Sequence, residues 1–283
     1  MATRIVKLPA VPAVLKVQPN ARNVFAICDG MADFATLTEP HGRESGSKWN
    51  GGMSGVQSVA CLRNGDLSGV KKADEYLSKI ETLLHFDTKK FRNILDVCGG
   101  SPDVPSFIAG HPLNMRRRQR VVSQQGPLAV VADLTSSGSI NADEVRQRGC
   151  AILALVRALT ALRPVELWAV VGLGRRELAV EVLTRIDTTP LDLARAAHML
   201  THPSVSRALG YGYCQAVHQS GGDWNFGNIA LQRNTARESL MRVMHARADV
   251  LYVPPVYGTD KAISDPVAWL RDMLKEHGGM IAQ

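Results

Sequence analysis

The sequence predicts an α/β protein: an open, mostly parallel sheet flanked by helices, preceded by an irregular α+β N-terminal region. Two observations carry that expectation. The apolar run after Pro127 breaks at Asp133 into a loop of hydroxyls and glycine, Leu-Thr-Ser-Ser-Gly-Ser139, and a helix-patterned run follows from about Asn141 to Leu162. A second apolar run, Val165-Glu-Leu-Trp-Ala-Val-Val171, comes directly after it, so the chain reads strand, loop, helix, strand. Aromatics make up only 5% of the chain. Its core should therefore be built from Val, Leu, Ala and Ile, as buried parallel strands prefer.

Taken in order, residues 1 to about 23 carry Pro9, Pro12 and Pro19 and read as an extended arm. Val24 to Cys28 is a short strand stopped by Asp29-Gly30. Residues 39–55 are rich in glycine, serine and charge and read as a loop. Trp49 in it is either an anchor for a glycine turn or part of a binding loop, and the anchor is favoured. Helices are predicted over 56–63 and 67–84, the second placing Val70, Ala73, Leu77, Ile80 and Leu84 on one face. Residues 91–97 fit a strand or a short helix, and 104–109 a turn or two of helix. The cluster Arg116-Arg117-Arg118-Gln-Arg120 then reads as a solvated connector or as arginines pairing with carboxylates. A domain boundary is placed near residue 122, giving an N-terminal region 1–122 and an α/β domain 123–283.

In the second part Asn141, three residues before Glu144, forms a capping-box pattern that starts the long helix. Gly149 on its apolar face is expected to let it lie close to the sheet. Residues 178–186 alternate as a third strand, placed antiparallel to the second across a short turn at Arg175-Arg176. A helix opens with Thr189 as N-cap and Pro190 at its first position, runs through Leu200, and stops at His202-Pro203. Val205 to Val217 reads as a short helix and 218–230 as a polar, glycine-rich loop. Residues 235–246 are helical by pattern, 249–253 form a strand, and a last helix starts at Asp265.

The formal net charge of +7 permits an acidic or nucleic-acid partner without establishing one. Arg116, Arg117, Arg118 and Arg120 are the candidate nucleic-acid contacts, but no aromatics interleave them and no recognition motif accompanies them. Five cysteines, odd in number and without CxxC spacing, suit free thiols in a reducing compartment better than disulfides or a zinc cluster. There is no signal-peptide pattern and no apolar span of membrane length, so no membrane partner is expected and the protein is read as soluble and intracellular. A phosphate-binding Gly-Lys-Ser/Thr motif is absent. Gly172-Leu-Gly174 lacks the third glycine of a dinucleotide fingerprint. His198, His202 and His218 with Asp223 could be drawn as a metal cluster, although helix-end and packing roles suit the histidines better. No Ser-His-Asp set can be assigned from order alone.

Asp133 at a strand's carboxyl end, followed by Thr135 and Ser137, is the strongest candidate site, since open α/β sheets hold ligands there. Asp133-Leu-Thr-Ser-Ser137, the amphipathic helix, the two-strand hairpin and a threonine at a later helix start resemble a von Willebrand factor A-like domain, a Rossmann-like fold. The resemblance covers roughly residues 125–277. It implies a Mg2+ or Mn2+ ion on Asp133, Thr135, Ser137 and Thr188 or Thr189, with an acidic side chain of a protein partner completing the coordination. The family's further aspartate is missing, because the strand at 249–253 ends in Pro254-Pro255 and only Asp260 lies beyond. The competing reading is structural: Asp, Thr and Ser after a strand also cap the next helix and satisfy turn amides. The chain as a whole also resembles bacteriophage-encoded proteins, which implies the host cytoplasm or a virion as its location. The function expected is a non-enzymatic protein-protein assembly module, able to form oligomers. Alternatives are a metal-dependent hydrolase or phosphoryl-transfer enzyme using Asp133, or a basic nucleic-acid-binding structural protein.

Overall fold

The structure, a computed structural model, describes residues 4–8, 22–83, 91–120, 127–162, 164–175, 178–218, 250–258 and 260–276. It divides into a larger unit, residues 1–83 with 127–283, and a smaller one, residues 84–126. A single boundary near residue 122 is thus not what the structure shows: the first 83 residues belong to the same unit as the C-terminal part. The reason is strand pairing, since the N-terminal strands extend the main sheet.

In the larger unit the elements begin with β1 (Arg4–Leu8), β2 (Arg22–Cys28), α1 (Met31–Thr38), α2 (Gly55–Asn64) and α3 (Val70–Leu83). After the smaller unit come β6 (Leu128–Asp133), α5 (Ala142–Leu162), β7 (Val165–Arg175), β8 (Leu178–Ile186) and α6 (Leu193–Thr201). A π-helical stretch, Val205–Gly210, runs into α7 (Tyr211–His218). Then follow β9 (Val250–Val253), α8 (Lys261–Ser264) and α9 (Pro266–Glu276). The main sheet has the order β1-β2-β8-β7-β6-β9. β6 runs parallel to both β7 and β9, β7 and β8 form the expected antiparallel hairpin, and β2 adds parallel to β8. β6 is buried along its whole length, and Ala129, Val131, Val170, Leu183 and Val250 pack on one face with Trp168 and Tyr252. The chain is a mixed α/β fold, its sheet flanked by helices.

α5 starts as its capping box predicts, with the Asn141 and Glu144 side chains each accepting from the other's backbone N–H at 2.8 and 2.9 Å. It is not an amphipathic surface helix, however. Every residue from Arg148 to Val156 is buried, because α3 and α6 pack over it. The run Ala151-Ile-Leu-Ala-Leu-Val156 is apolar all round, which is the pattern of an interior helix. Gly149 serves a helix rather than the sheet: a Cβ there would lie 2.2 Å from the Leu200 carbonyl oxygen in α6.

The helix after β8 is capped by Asp192, whose carboxylate accepts from the Arg195 N–H at 3.1 Å, and not by Thr189. Thr188 instead forms an antiparallel bridge with Leu191, and the Thr189-Pro190 peptide is cis. α1 has no counterpart in the sequence reading, since only Phe34, Ala35 and Thr38 of its eight residues are buried. Trp49 is the expected anchor, its Nε1 donating to the Gly138 carbonyl at 3.3 Å. All five cysteines are free thiols. Residues 9–21, most of the 218–230 loop and the 235–246 helix lie outside the described residues.

The smaller unit holds β3 (Phe91–Asp96), β4 (Ser101–Pro102), the short α4 (Val104–Ile108) and β5 (Met115–Arg120) in an antiparallel sheet of order β3-β5-β4. The arginine cluster is therefore a central strand and not a connector, while the other reading, arginines pairing with carboxylates, holds for Arg116 and Arg117.

Replacing Gly149 with alanine should destabilise the protein by roughly 1–3 kcal/mol, because helix separation outweighs alanine's better helix propensity. Urea unfolding of Gly149→Ala measures this. An unchanged or higher midpoint would show that α5 and α6 do not meet this closely.

Candidate functional site

The carboxyl ends of β6 and β9 flank the switch point of the sheet, where the chain leaves β6 for β7 on one side while β9 lies on the other. Ligands of open α/β sheets enter at such a crevice. Here it is closed by main chain. The Val256 N–H donates to the Thr135 carbonyl at 3.2 Å, and the Ser137 N–H donates to the Val256 carbonyl at 3.0 Å. Asp133 is 4% exposed. Its Oδ1 accepts from the Thr135 N–H at 2.9 Å and its Oδ2 from the Tyr252 hydroxyl at 3.1 Å. Burial pushes its pKa up, which disfavours a free carboxylate here. Thr135 Oγ1 accepts from the Gly172 N–H at 3.0 Å, and Ser137 Oγ pairs with Ser139 Oγ at 3.0 Å.

The five residues expected to hold an ion do not converge. Thr188 Oγ1 donates to the carbonyl of Val165, at the start of β7, whereas Asp133 stands opposite Val170. Five residues of strand separate the two positions, about 16 Å at the usual rise. The cause is that β8 runs antiparallel to β7 and delivers residues 187–191 to the other end of the sheet. Thr189, next along the chain, is carried there with it.

Arg207 completes the closure. It is fully buried, and its Nη1 donates to the Trp49 carbonyl at 2.7 Å. Its Nη2 reaches Ser136 Oγ at 3.2 Å, the Ser137 carbonyl at 3.3 Å and the Ile140 carbonyl at 2.7 Å. The guanidinium lies over the Trp49 ring, 4.7 Å from its centroid. Tyr211 adds a reciprocal pair, its hydroxyl donating to the Ser136 carbonyl and accepting from the Ser136 N–H, both at 3.0 Å. In the next strands Glu181, 5% exposed, faces Gly172, where a Cβ would come within 2.9 Å of its Cγ. Its Oε2 has no hydrogen-bond partner among the described residues, and burial with the neighbouring Asp133 raises its pKa to about 8.

A second cluster joins α2, the loop after it and α6. Arg146 Nη2 lies 3.2 Å from His202 Nε2, and His202 Nδ1 lies 2.7 Å from Ser204 Oγ. Ser204 Oγ is 2.7 Å from Ser58 Oγ, Ser58 Oγ is 3.1 Å from His198 Nε2, and His198 Nδ1 is 3.2 Å from Asp66 Oδ2. A carboxylate can only accept, so His198 carries a proton on Nδ1, toward Asp66. Both His202 nitrogens face donors, the Arg146 guanidinium at Nε2 and the Ser204 N–H 3.2 Å from Nδ1. Burial lowers both histidine pKa values, that of His202 to about 4, with His198 and Arg146 adding to the effect. The two rings stack at 5.0 Å, and Gly51, at φ 76°, leaves room for His202.

Ser58, His198 and Asp66 have the spacing of nucleophile, base and orienting acid. Ser58 is nonetheless fully buried inside α2, and its oxygen accepts from Ser204. Substrate has no approach to it, so the arrangement is a relay and not an open triad. Cys61 joins at the outer end: its sulfur, an Asp66 carboxylate oxygen and a His198 ring nitrogen all lie within 4.8 Å of one another. The i,i+4 spacing of His198 and His202 is visible in the sequence; Ser58, Cys61 and Asp66 are brought to them only by the packing of α2 on α6. Of the histidine cluster drawn from sequence, the His218 side chain and Asp223 lie outside the described residues.

In the smaller unit Arg116 pairs with Asp103, and Arg117 with Asp96 at 3.1 Å. The side chains of Arg118 and Arg120 lie outside the described residues. The unit exposes Leu95, Val97, Val104, Phe107, Ile108 and Leu113, with Phe107 64% and Ile108 79% accessible.

These features define a mixed-sheet α/β protein whose usual ligand crevice is sealed and whose polar chemistry lies between helices. The model of DUF7192, a domain of unknown function, matches residues 13–281, and the chain belongs to that family. No curated protein and no solved structure matches it. Among the described residues, no helix is long and apolar enough to cross a membrane.

Two outcomes follow for stability. Arg207→Lys should cost roughly 2–3 kcal/mol, since one ammonium cannot serve the oxygens the guanidinium fork reaches; denaturant unfolding measures it, and a neutral result would contradict the clasp. For Glu181 the folded-state pKa of about 8 lies above the ordinary 4.5, so the folded state holds a proton that the unfolded state releases. That makes stability fall as pH rises from 4.5 to 8. The histidines act in the opposite sense, losing stability as pH falls below 6.5, and are silent above it. Between pH 6.5 and 8 wild type should therefore lose about 2 kcal/mol, and Glu181→Gln much less. Parallel slopes for the two proteins would sink this assignment.

Proposed function

We propose that this protein is a non-enzymatic protein-protein assembly module that docks an acidic, apolar segment of a partner onto its smaller unit. The observation that carries the reading is the exposed apolar set of that unit, three of whose members, Val104, Phe107 and Ile108, lie on α4. Soluble proteins seldom leave such side chains in water without a partner to cover them. Charge supports the choice of partner. Residues 84–126 contain seven Lys and Arg against three Asp, more than half of the chain's net charge of +7. The order β6-α5-β7-β8 supports a von Willebrand factor A-like description of the larger unit, but recognition is assigned to the smaller unit and needs no ion at Asp133. A nucleic-acid role is weaker, because Arg116 and Arg117 are already engaged by Asp103 and Asp96.

Selection of random displayed peptides on the purified protein tests the reading. Enriched peptides should combine acidic with large apolar residues, and their binding should fall at least about tenfold in Phe107→Ser/Ile108→Ser, as expected for loss of central apolar anchors. Peptides without acidic residues, or binding indifferent to that double substitution, would contradict it. Tight, steeply salt-dependent binding of duplex DNA or RNA would favour the nucleic-acid reading instead.

A further inference from the structure

Cys61, Asp66 and His198 come from three places: α2, the loop that follows it, and α6. Each presents one donor atom to a common point, a sulfur, a carboxylate oxygen and an imidazole nitrogen, all within 4.8 Å of one another. Around a tetrahedral zinc ion such atoms stand about 3.4–3.8 Å apart, given bonds of about 2.0–2.3 Å. A small contraction therefore suffices. We propose that these three side chains form a Zn2+ site whose fourth position faces solvent.

The chemistry of the donors selects the ion. Thiolate and imidazole favour zinc over magnesium or manganese, which prefer oxygen. Thiolate and carboxylate together cancel the ion's two positive charges, which suits a position between helices. Cys61 and Asp66 are partly exposed while His198 is buried, so the ion enters from the Cys61 and Asp66 side. Asp66 is already oriented by the Ser68 N–H and hydroxyl, each donating at 2.9 Å. Gly65, at φ 89°, allows the loop to cross α6, because a Cβ there would lie 2.5 Å from Ala194 Cβ.

Binding also rearranges protons in a defined way. The Cys61 thiol gives its proton to solvent, and His198 moves its proton from Nδ1 to Nε2 so that Nδ1 can hold the ion. His198 Nε2–H then donates to Ser58 Oγ, which supports the ligand as outer hydrogen bonds support zinc-bound histidines. Ser58 Oγ then accepts from His198 Nε2–H and from the Ser204 hydroxyl.

Titration of the metal-free full-length protein with Co2+ and Zn2+ tests the site. One equivalent of Co2+ should bind, with a near-ultraviolet sulfur-to-cobalt band and intense tetrahedral visible bands, both removed by one equivalent of Zn2+. Cys61→Ser should lose the sulfur band while keeping the metal-free melting temperature, and Cys98→Ser should keep the band. Asp66→Asn should weaken binding at least tenfold, and Ser58→Ala roughly 10–100-fold, the range for outer-sphere partners of metal ligands. No stoichiometric binding at micromolar protein, or a sulfur band that survives in Cys61→Ser, would overturn the proposal.

Discussion

Arg207 lies in the interior where Trp49, the Ser136–Ile140 turn and the start of α7 come together, and the upper end of the sheet depends on it. Its fork meets three backbone carbonyls and one hydroxyl, and its flat face rests on the Trp49 ring. All of these acceptors are neutral, so the charge is held by dipoles and by an aromatic face rather than by an opposing ion. This makes the Leu134–Ile140 turn part of the core. It also ties the glycine loop at Trp49 to the sheet, which in turn places Gly51 against His202.

That clasp redistributes what each part of the molecule can do. A parallel sheet ordinarily offers chemistry at the carboxyl ends of its strands, where loops leave a gap. Here the loops after β6 and β9 hydrogen-bond to each other, Asp133 is spent on a turn amide and a tyrosine hydroxyl, and Glu181 is enclosed beside it. Groups able to bind or exchange protons lie instead on the α2–α6 seam. There a six-residue chain from Arg146 to Asp66 reaches the partly exposed Cys61.

Much of the frame is legible in the sequence because local pattern and tertiary role agree. β6, α5, the β7–β8 hairpin and the last helix each announce themselves by periodicity and caps, and the Asn141–Glu144 box is found as read. The misreadings have physical causes. Arg116 to Arg120 looks like a connector because its charges mask a strand whose carboxylate partners sit on Asp96 and Asp103. Thr189-Pro190 mimics a helix start, although the chain needs three more residues before Asp192 can cap α6. Asp133-Leu-Thr-Ser-Ser137 is compatible with an ion loop or a structural turn. Only the direction of β8, which carries Thr188 to the opposite end of the sheet, and the distant Arg207 distinguish the two. The seam between α2 and α6 was half visible, as two histidines one turn apart; its serine, cysteine and aspartate lie more than 130 residues away in sequence.

The Leu134–Ile140 turn is in this way a closed structural clasp. Native-state amide hydrogen exchange of Leu134, Thr135, Ser136, Ser137 and Ile140, whose N–H groups are all hydrogen-bonded, checks this with and without magnesium. These amides should exchange only through global unfolding, as slowly as those of β6, and magnesium should change nothing. Rapid exchange that magnesium slows would contradict it, and would return the turn to the role of an open ion-binding loop.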